Sequence, residues 1–88
     1  MNGEQTNDAE LVALRALGWA LADERRADRF LALTGLTAET LRARIGEPAV
    51  LAAGLRFLEA HEPDLVACAD FLELAPAELV EARRKLEP

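Results

Sequence analysis

The sequence contains no serine and no tyrosine, and it has only one histidine and one cysteine among its 88 residues. Without serine, and with a single histidine, the hydroxyl nucleophile–histidine–acid arrangement of most hydrolytic triads is not available. One cysteine cannot form an intramolecular disulfide bond, and it is typical of a protein in a reducing compartment. These shortages favour a protein that is not an enzyme, with no catalytic residue, no cofactor and no metal site.

Long apolar segments are also missing from the chain. No apolar run approaches the roughly 20 residues that a membrane-spanning helix needs. The first residues are polar and acidic and lack the basic and apolar regions of a signal peptide. We therefore expect a soluble, cytoplasmic protein without membrane contact. We expect residues 1–8 to form a flexible N-terminal lead and residues 9–87 to form a single helical domain.

What the sequence has in abundance is leucine and alanine, which are strong helix formers. No segment alternates apolar and polar residues in the way that a strand does. Apolar residues recur at helical spacing in six segments, at residues 9–22, 24–34, 38–45, 48–61, 63–73 and 76–86. The predicted fold class is all-α, a compact irregular bundle of about six short helices.

A pattern typical of a helix-turn-helix joint occurs twice, about 38 residues apart. The two copies are Gly35–Leu41 and Glu73–Leu79, each with a leucine at its second and seventh positions. A leucine just before a helix and another in its second turn form a hydrophobic staple, which fixes the angle at which the chain enters the helix. The repeat suggests that the bundle contains two related helix-turn-helix pairs.

The first predicted helix is apolar on two sides. A helical wheel places four leucines on one stripe: Leu11, Leu14, Leu17 and Leu21. Val12 and Trp19 lie on a second flank. Trp19 belongs either to the core or to an interface, since tryptophan is enriched at binding hot spots. A helix this apolar is either central to the fold or shares one side with another chain.

Charge is distributed unevenly along the chain, which has a formal net charge of −6. Residues 25–45 carry a net positive charge inside this acidic background, and four of their arginines are candidate binding residues: Arg25, Arg29, Arg42 and Arg44. Guanidinium groups bind carboxylates and phosphates through paired hydrogen bonds. These arginines are therefore either a face for an acidic partner or a solvated surface that pairs internally with Asp28 and Glu39.

Two reactive residue types occur once each, and we interpret both as structural. His61 is predicted in the last turn of the fourth helix, where it would be partly covered. Cys68 lies between Leu65 and Leu72 on the predicted buried side of the fifth helix, where a thiol behaves as a small apolar group.

Several segments together resemble a family of small bacterial proteins, mostly proteobacterial, known only as a domain of unknown function. The resemblance rests on these segments: Arg29–Leu36, Leu41–Arg44, Leu51–Ala53, Phe57–Leu58 and Ala82–Arg84. They are core and turn residues, so the resemblance implies the fold of roughly residues 11–86 and implies no activity. The family often has Asp-Pro where this chain has Asp23-Glu24, a difference confined to the start of the second helix.

These observations predict a small interaction module without enzymatic activity, which binds a protein partner or itself. The candidate partner-binding residues are Val12, Trp19, Arg25, Arg29, Arg42 and Arg44. The alternative is a nucleic-acid-binding accessory protein that uses the helix-turn-helix at residues 24–45, with Arg42 and Arg44 facing the nucleic acid. The acidic total makes nucleic acid the less favoured partner, and no small-molecule substrate is predicted.

Overall fold

The computed structural model describes the backbone of residues 2–87 and the side chains of residues 8–87. It contains six helices: α1 (Asn2–Leu21), α2 (Glu24–Thr34), α3 (Ala38–Arg44), α4 (Pro48–Glu59), α5 (Glu62–Phe71) and α6 (Pro76–Leu86). No strand occurs within residues 2–87, which confirms the all-α bundle. Helix α1 begins at Asn2, earlier than the predicted start at residue 9. The predicted flexible lead, residues 1–8, falls almost entirely on residues whose side chains lie outside the described part, and it stays a prediction.

The helices begin where the sequence supplies caps and prolines. The Asp23 carboxylate accepts a hydrogen bond of 3.0 Å from the backbone N–H of Arg26 and so caps α2. Thr37 and Thr40 form a reciprocal capping box at the start of α3. Helices α4, α5 and α6 each have a proline in their first turn, where a missing N–H leaves no hydrogen bond unmade.

The two helix-turn-helix joints share an unusual backbone conformation. Gly35 ends α2 with φ of 75°, and Glu73, at the matching position of the second copy, has φ of 60°. Only glycine adopts this left-handed conformation without steric cost, so Glu73 is held there by its surroundings. The helices around the joints pack differently, because α5 lies against α6 whereas α2 and α3 make little contact with each other. The joints are alike, and the helix pairs that they connect are not.

Helices α1, α4 and α6 form the centre of the bundle and pack on one another. The largest fully enclosed side chains are Leu17, Phe30, Leu55, Leu58 and Leu79. Helix α1 turns an alanine face towards the other helices, and Ala13, Ala16 and Ala20 are each no more than 1% exposed. Such small side chains let two helix axes approach closely.

The four leucines of the α1 stripe do not share one environment. Leu17 is buried and Leu21 is half-buried, but Leu11 and Leu14 face outwards. Tight packing against α4 and α6 places small alanine side chains, rather than most of the leucines, on the inner side of α1. Two large apolar side chains of α1 are thereby left at the surface.

A network of ion pairs joins the ends of α4 and α6. Arg83 donates to Glu59 and to Glu87, each at 2.5 Å, and Glu87 also accepts a hydrogen bond from Arg56. The hydrogen bond from Arg56 contributes most to holding the pKa of Glu87 below its ordinary value, and the hydrogen bond from Arg83 acts in the same direction.

We expect acid to loosen the last turn of α6 selectively. A carboxyl group whose pKa is lowered by folding stabilises the folded state at pH values above its ordinary pKa. That contribution is lost as the pH falls through the lowered pKa. Amide hydrogen exchange followed from neutral to acid pH should show the end of α6 losing protection before α2. The variant Glu87→Gln, which cannot titrate, should lack this pH-dependent step; an unchanged step in that variant would contradict the assignment to Glu87.

Candidate interaction surface

The exposed side of α1 carries two of the five large apolar side chains that are exposed within residues 8–87. Leu11 is 56% exposed and Leu14 is 44% exposed, and Gly18 follows them along the same side of the helix. Phe71, at the end of α5, is 70% exposed and lines a shallow groove together with Gly18. We call these four residues the outer face. Three large apolar side chains held in water on rigid helices are typical of an interaction site.

The groove in the outer face is open beside Gly18, which has no side chain. It is lined by six residues, Arg15, Gly18, Trp19, Ala22, Phe71 and Leu72. A Cβ atom added at Gly18 would meet no other atom within 4 Å. Packing within the chain therefore does not require a glycine at this position.

Trp19 is half-buried and connects three helices. Its ring packs against the core, and the guanidinium carbon of Arg26 lies 3.9 Å from the ring centroid. Arg26 also lies 3.6 Å from the Asp64 carboxylate, so α1, α2 and α5 meet at this point. Trp19 is neither fully enclosed nor free of the fold, so its substitution would disturb the packing of these helices.

Val12 lies apart from Trp19. It is half-buried in a second shallow groove, between α1 and α6, whose rim carries Glu78, Glu81 and Lys85. The structure therefore does not bring the two α1 residues of the sequence-based site into one patch.

The four candidate arginines differ in their surroundings. Arg29 donates to Asp64 at 3.0 Å and its guanidinium lies 5.4 Å from the Phe57 ring, while Arg44 donates to Glu47 at 3.0 Å. Arg25 and Arg42 are exposed, and neither forms an ion pair within residues 8–87. Two of the four charges are thus paired with carboxylates, although not with Asp28 or Glu39.

Cys68 is fully buried, as predicted. Burial raises the pKa of its thiol to about 11; the nearby Arg26 lowers it and Asp64 raises it to a smaller extent. The thiolate that would act as a nucleophile is therefore scarce near neutral pH. His61 differs from its predicted place: α4 ends at Glu59, and His61 is an exposed residue that precedes α5.

The described part of the chain contains no cluster of metal-ligating side chains and no membrane-spanning helix. Its histidine, cysteine and acidic side chains form no group of three or more that could hold a metal ion. Over the residues described, none of helices α1 to α6 is both long enough and apolar enough to cross a bilayer.

Comparison with known proteins identifies one family. A family model described as "Protein of unknown function (DUF3572)" matches residues 6–88. No curated protein and no solved structure matches the chain.

Proposed function

Because the chain belongs to the DUF3572 family, whose description names no activity, we propose a function from its own surface: a small protein-interaction module without enzymatic activity. It binds a protein partner or a second copy of itself through the outer face. The observation that supports this proposal is the exposure of Leu11, Leu14 and Phe71 on one side of a well-packed bundle. The proposal places the module in the cytoplasm of a bacterium, where its cysteine stays reduced.

The outer face suits a protein partner because it is apolar, preformed and nearly free of charge. Residues 9–22 contain one acid, Glu10, and one base, Arg15, in a chain whose net charge is −6. Depletion of charge at the centre of a patch, with aromatic residues present, distinguishes interfaces from the remaining surface. Leu33 on α2 is also exposed, at 74%, and provides a comparison surface.

A single substitution on the outer face should abolish binding without unfolding the protein. We expect Leu14→Glu to eliminate both self-association and partner capture, because a carboxylate would be desolvated in the interface. The matched control is Leu33→Glu, which adds the same charge to an exposed leucine of another helix and should retain binding. Partner capture is measured by immobilising the tagged protein and incubating it with nuclease-treated native lysate. Self-association is measured by light scattering of the purified protein. Equal binding by the two variants would overturn the proposal.

Nucleic-acid binding by the helix-turn-helix at residues 24–45 stays a prediction, and the same purified protein can be used to test it. Helix α3 has seven residues, and it makes little contact with α2, whereas a DNA-binding helix-turn-helix holds its second helix firmly on the first. Of its two arginines, Arg44 is paired with Glu47. Binding of duplex DNA at low salt that is lost on reversing Arg42 and Arg44 would favour this alternative.

A further inference from the structure

The outer face continues along α1 with the spacing of a coiled-coil seam. Leu11, Leu14, Gly18 and Leu21 are separated by three, four and three residues, which is the a-d-a-d spacing of a heptad repeat. The buried alanine face of α1 lies on the opposite side, towards α4 and α6. The helix thus has one seam for its own fold and a second seam whose Leu11 and Leu14 side chains are exposed.

The residues that flank this second seam carry opposite charges at positions that matter for pairing. In the heptad, Glu10 precedes the first a position and is therefore a g residue, and Arg15 follows the first d position and is an e residue. Glu10 is half-buried and Arg15 exposed, and neither forms an ion pair within residues 8–87. Pairs between g and e residues of facing helices set partner and orientation in coiled coils.

The spacing of these two charges selects a second copy of the chain in parallel orientation. In a parallel two-helix seam, a g residue faces the e residue five positions later on the other helix. Glu10 and Arg15 are five positions apart, so two symmetric Glu10–Arg15 pairs form across a two-fold axis. In an antiparallel seam centred on the same leucines, each e residue faces the e residue of the other helix, and each g residue faces the other g residue. The Arg15 side chains of the two copies would then lie close together and repel each other.

We propose that the protein forms a parallel two-fold homodimer in which the outer faces of two α1 helices meet and Glu10 of each copy pairs with Arg15 of the other. The inference rests on the proposed function and names its partner. A seam from Leu11 to Leu21 covers only about 15 Å of helix. The interface is therefore smaller than the ~800 Å² per partner of a standard complex, and the dimer is reversible, with a dissociation constant in the micromolar range.

Neutral charge on the seam is consistent with this partner. Two chains that each carry a net charge of −6 repel at long range, and they can associate best where no net charge is present. Residues 9–22 have no net charge, in contrast to the acidic segments elsewhere in the chain. Gly18 removes the side chain that would otherwise separate the two helices, and Phe71 stands beside the opening that results.

Charge reversal tests the inference in the full chain. Sedimentation velocity from about 1 to about 500 µM measures the monomer–dimer equilibrium of the native protein, of Arg15→Glu, of Glu10→Arg and of the double variant. Each single reversal should weaken the dimer about tenfold at low salt, because two attractive pairs become two repulsive ones. The double variant should return to within about threefold of the native dissociation constant, and the difference between single variants and native protein should shrink at high salt.

The outcomes separate this inference from the proposed function. A native protein that stays monomeric, or a double variant as weak as the single ones, overturns the parallel homodimer. If the native protein is monomeric but a partner is captured in a Leu14-dependent way, the interaction module stands and only its partner is wrong. If neither association depends on Leu14, both proposals fail. Far-UV circular dichroism of each variant verifies that the bundle is folded, and Arg15→Gln, which removes the charge without reversing it, should give an intermediate weakening.

Discussion

Replacing Phe30 by alanine should remove a large part of the stability of this protein. Phe30 is 0% exposed, and its ring meets that of Phe57 edge to face, with centroids 5.5 Å apart and planes inclined by 75°. Deleting a buried phenylalanine costs about 3–5 kcal/mol, from lost burial and from the cavity that remains. A domain of this size has a total free energy of unfolding of about 5–15 kcal/mol. Urea unfolding followed by circular dichroism should therefore show a large fall in midpoint for Phe30→Ala.

The same substitution at Phe71 is the control. Phe71 is 70% exposed, so Phe71→Ala should change the free energy of unfolding by no more than about 0.5 kcal/mol. The two variants lose the same atoms, and only the environment of the ring differs between them. A loss of less than about 1 kcal/mol for Phe30→Ala would mean that Phe30 does not hold α2 on the core.

Introducing leucine at Gly54 should disrupt the contact between α1 and α4. A Cβ atom built at Gly54 lies 3.0 Å from Cδ1 of Leu17, which is itself fully buried. Three further carbon atoms have no space there, so we expect Gly54→Leu to cost about 3 kcal/mol or to prevent folding. Thermal unfolding measured by circular dichroism gives the size of the effect. Combining it with Leu17→Ala, which empties the neighbouring space, should recover part of the loss.

Gly18 gives the matched comparison for this substitution. A Cβ atom at Gly18 meets nothing within 4 Å, and glycine costs about 1 kcal/mol relative to alanine in a helix interior. Gly18→Leu should therefore leave the monomer as stable as the native protein or slightly more stable. If Gly54→Leu and Gly18→Leu had equal effects on stability, the close approach of α1 and α4 at Gly54 would be contradicted.

The helix pattern could be predicted from the sequence because its signals are local. The predicted segment 76–86 matches α6, which begins at Pro76, and the predicted segment 24–34 matches α2, which Asp23 caps. Such caps act on atoms within a few residues, so the sequence contains the information needed. The ends were less accurate where no terminating residue exists, and α4 stops at Glu59, before the predicted end at His61.

The surface of the protein was harder to predict because it depends on contacts distant in sequence. Arg29 pairs with Asp64, 35 positions away, and that partner follows from how α2 lies beside α5. The orientation of α1 depends on its fit against α4 and α6, and the apolar wheel could not distinguish an inward alanine face from an inward leucine face. The spacing of Leu11, Leu14, Gly18 and Leu21 indicates an apolar seam, but the side of the bundle that this seam faces depends on those packing contacts.

Trp19 is an intrinsic fluorescence probe of this protein. It is the only tryptophan and the chain has no tyrosine, so fluorescence excited at long wavelength comes from one indole ring. That ring lies under a guanidinium group, at the junction of three helices, and on one wall of the groove beside Phe71. Its emission therefore responds to unfolding of the core and to occupation of the groove, and an unlabelled sample allows both events to be followed.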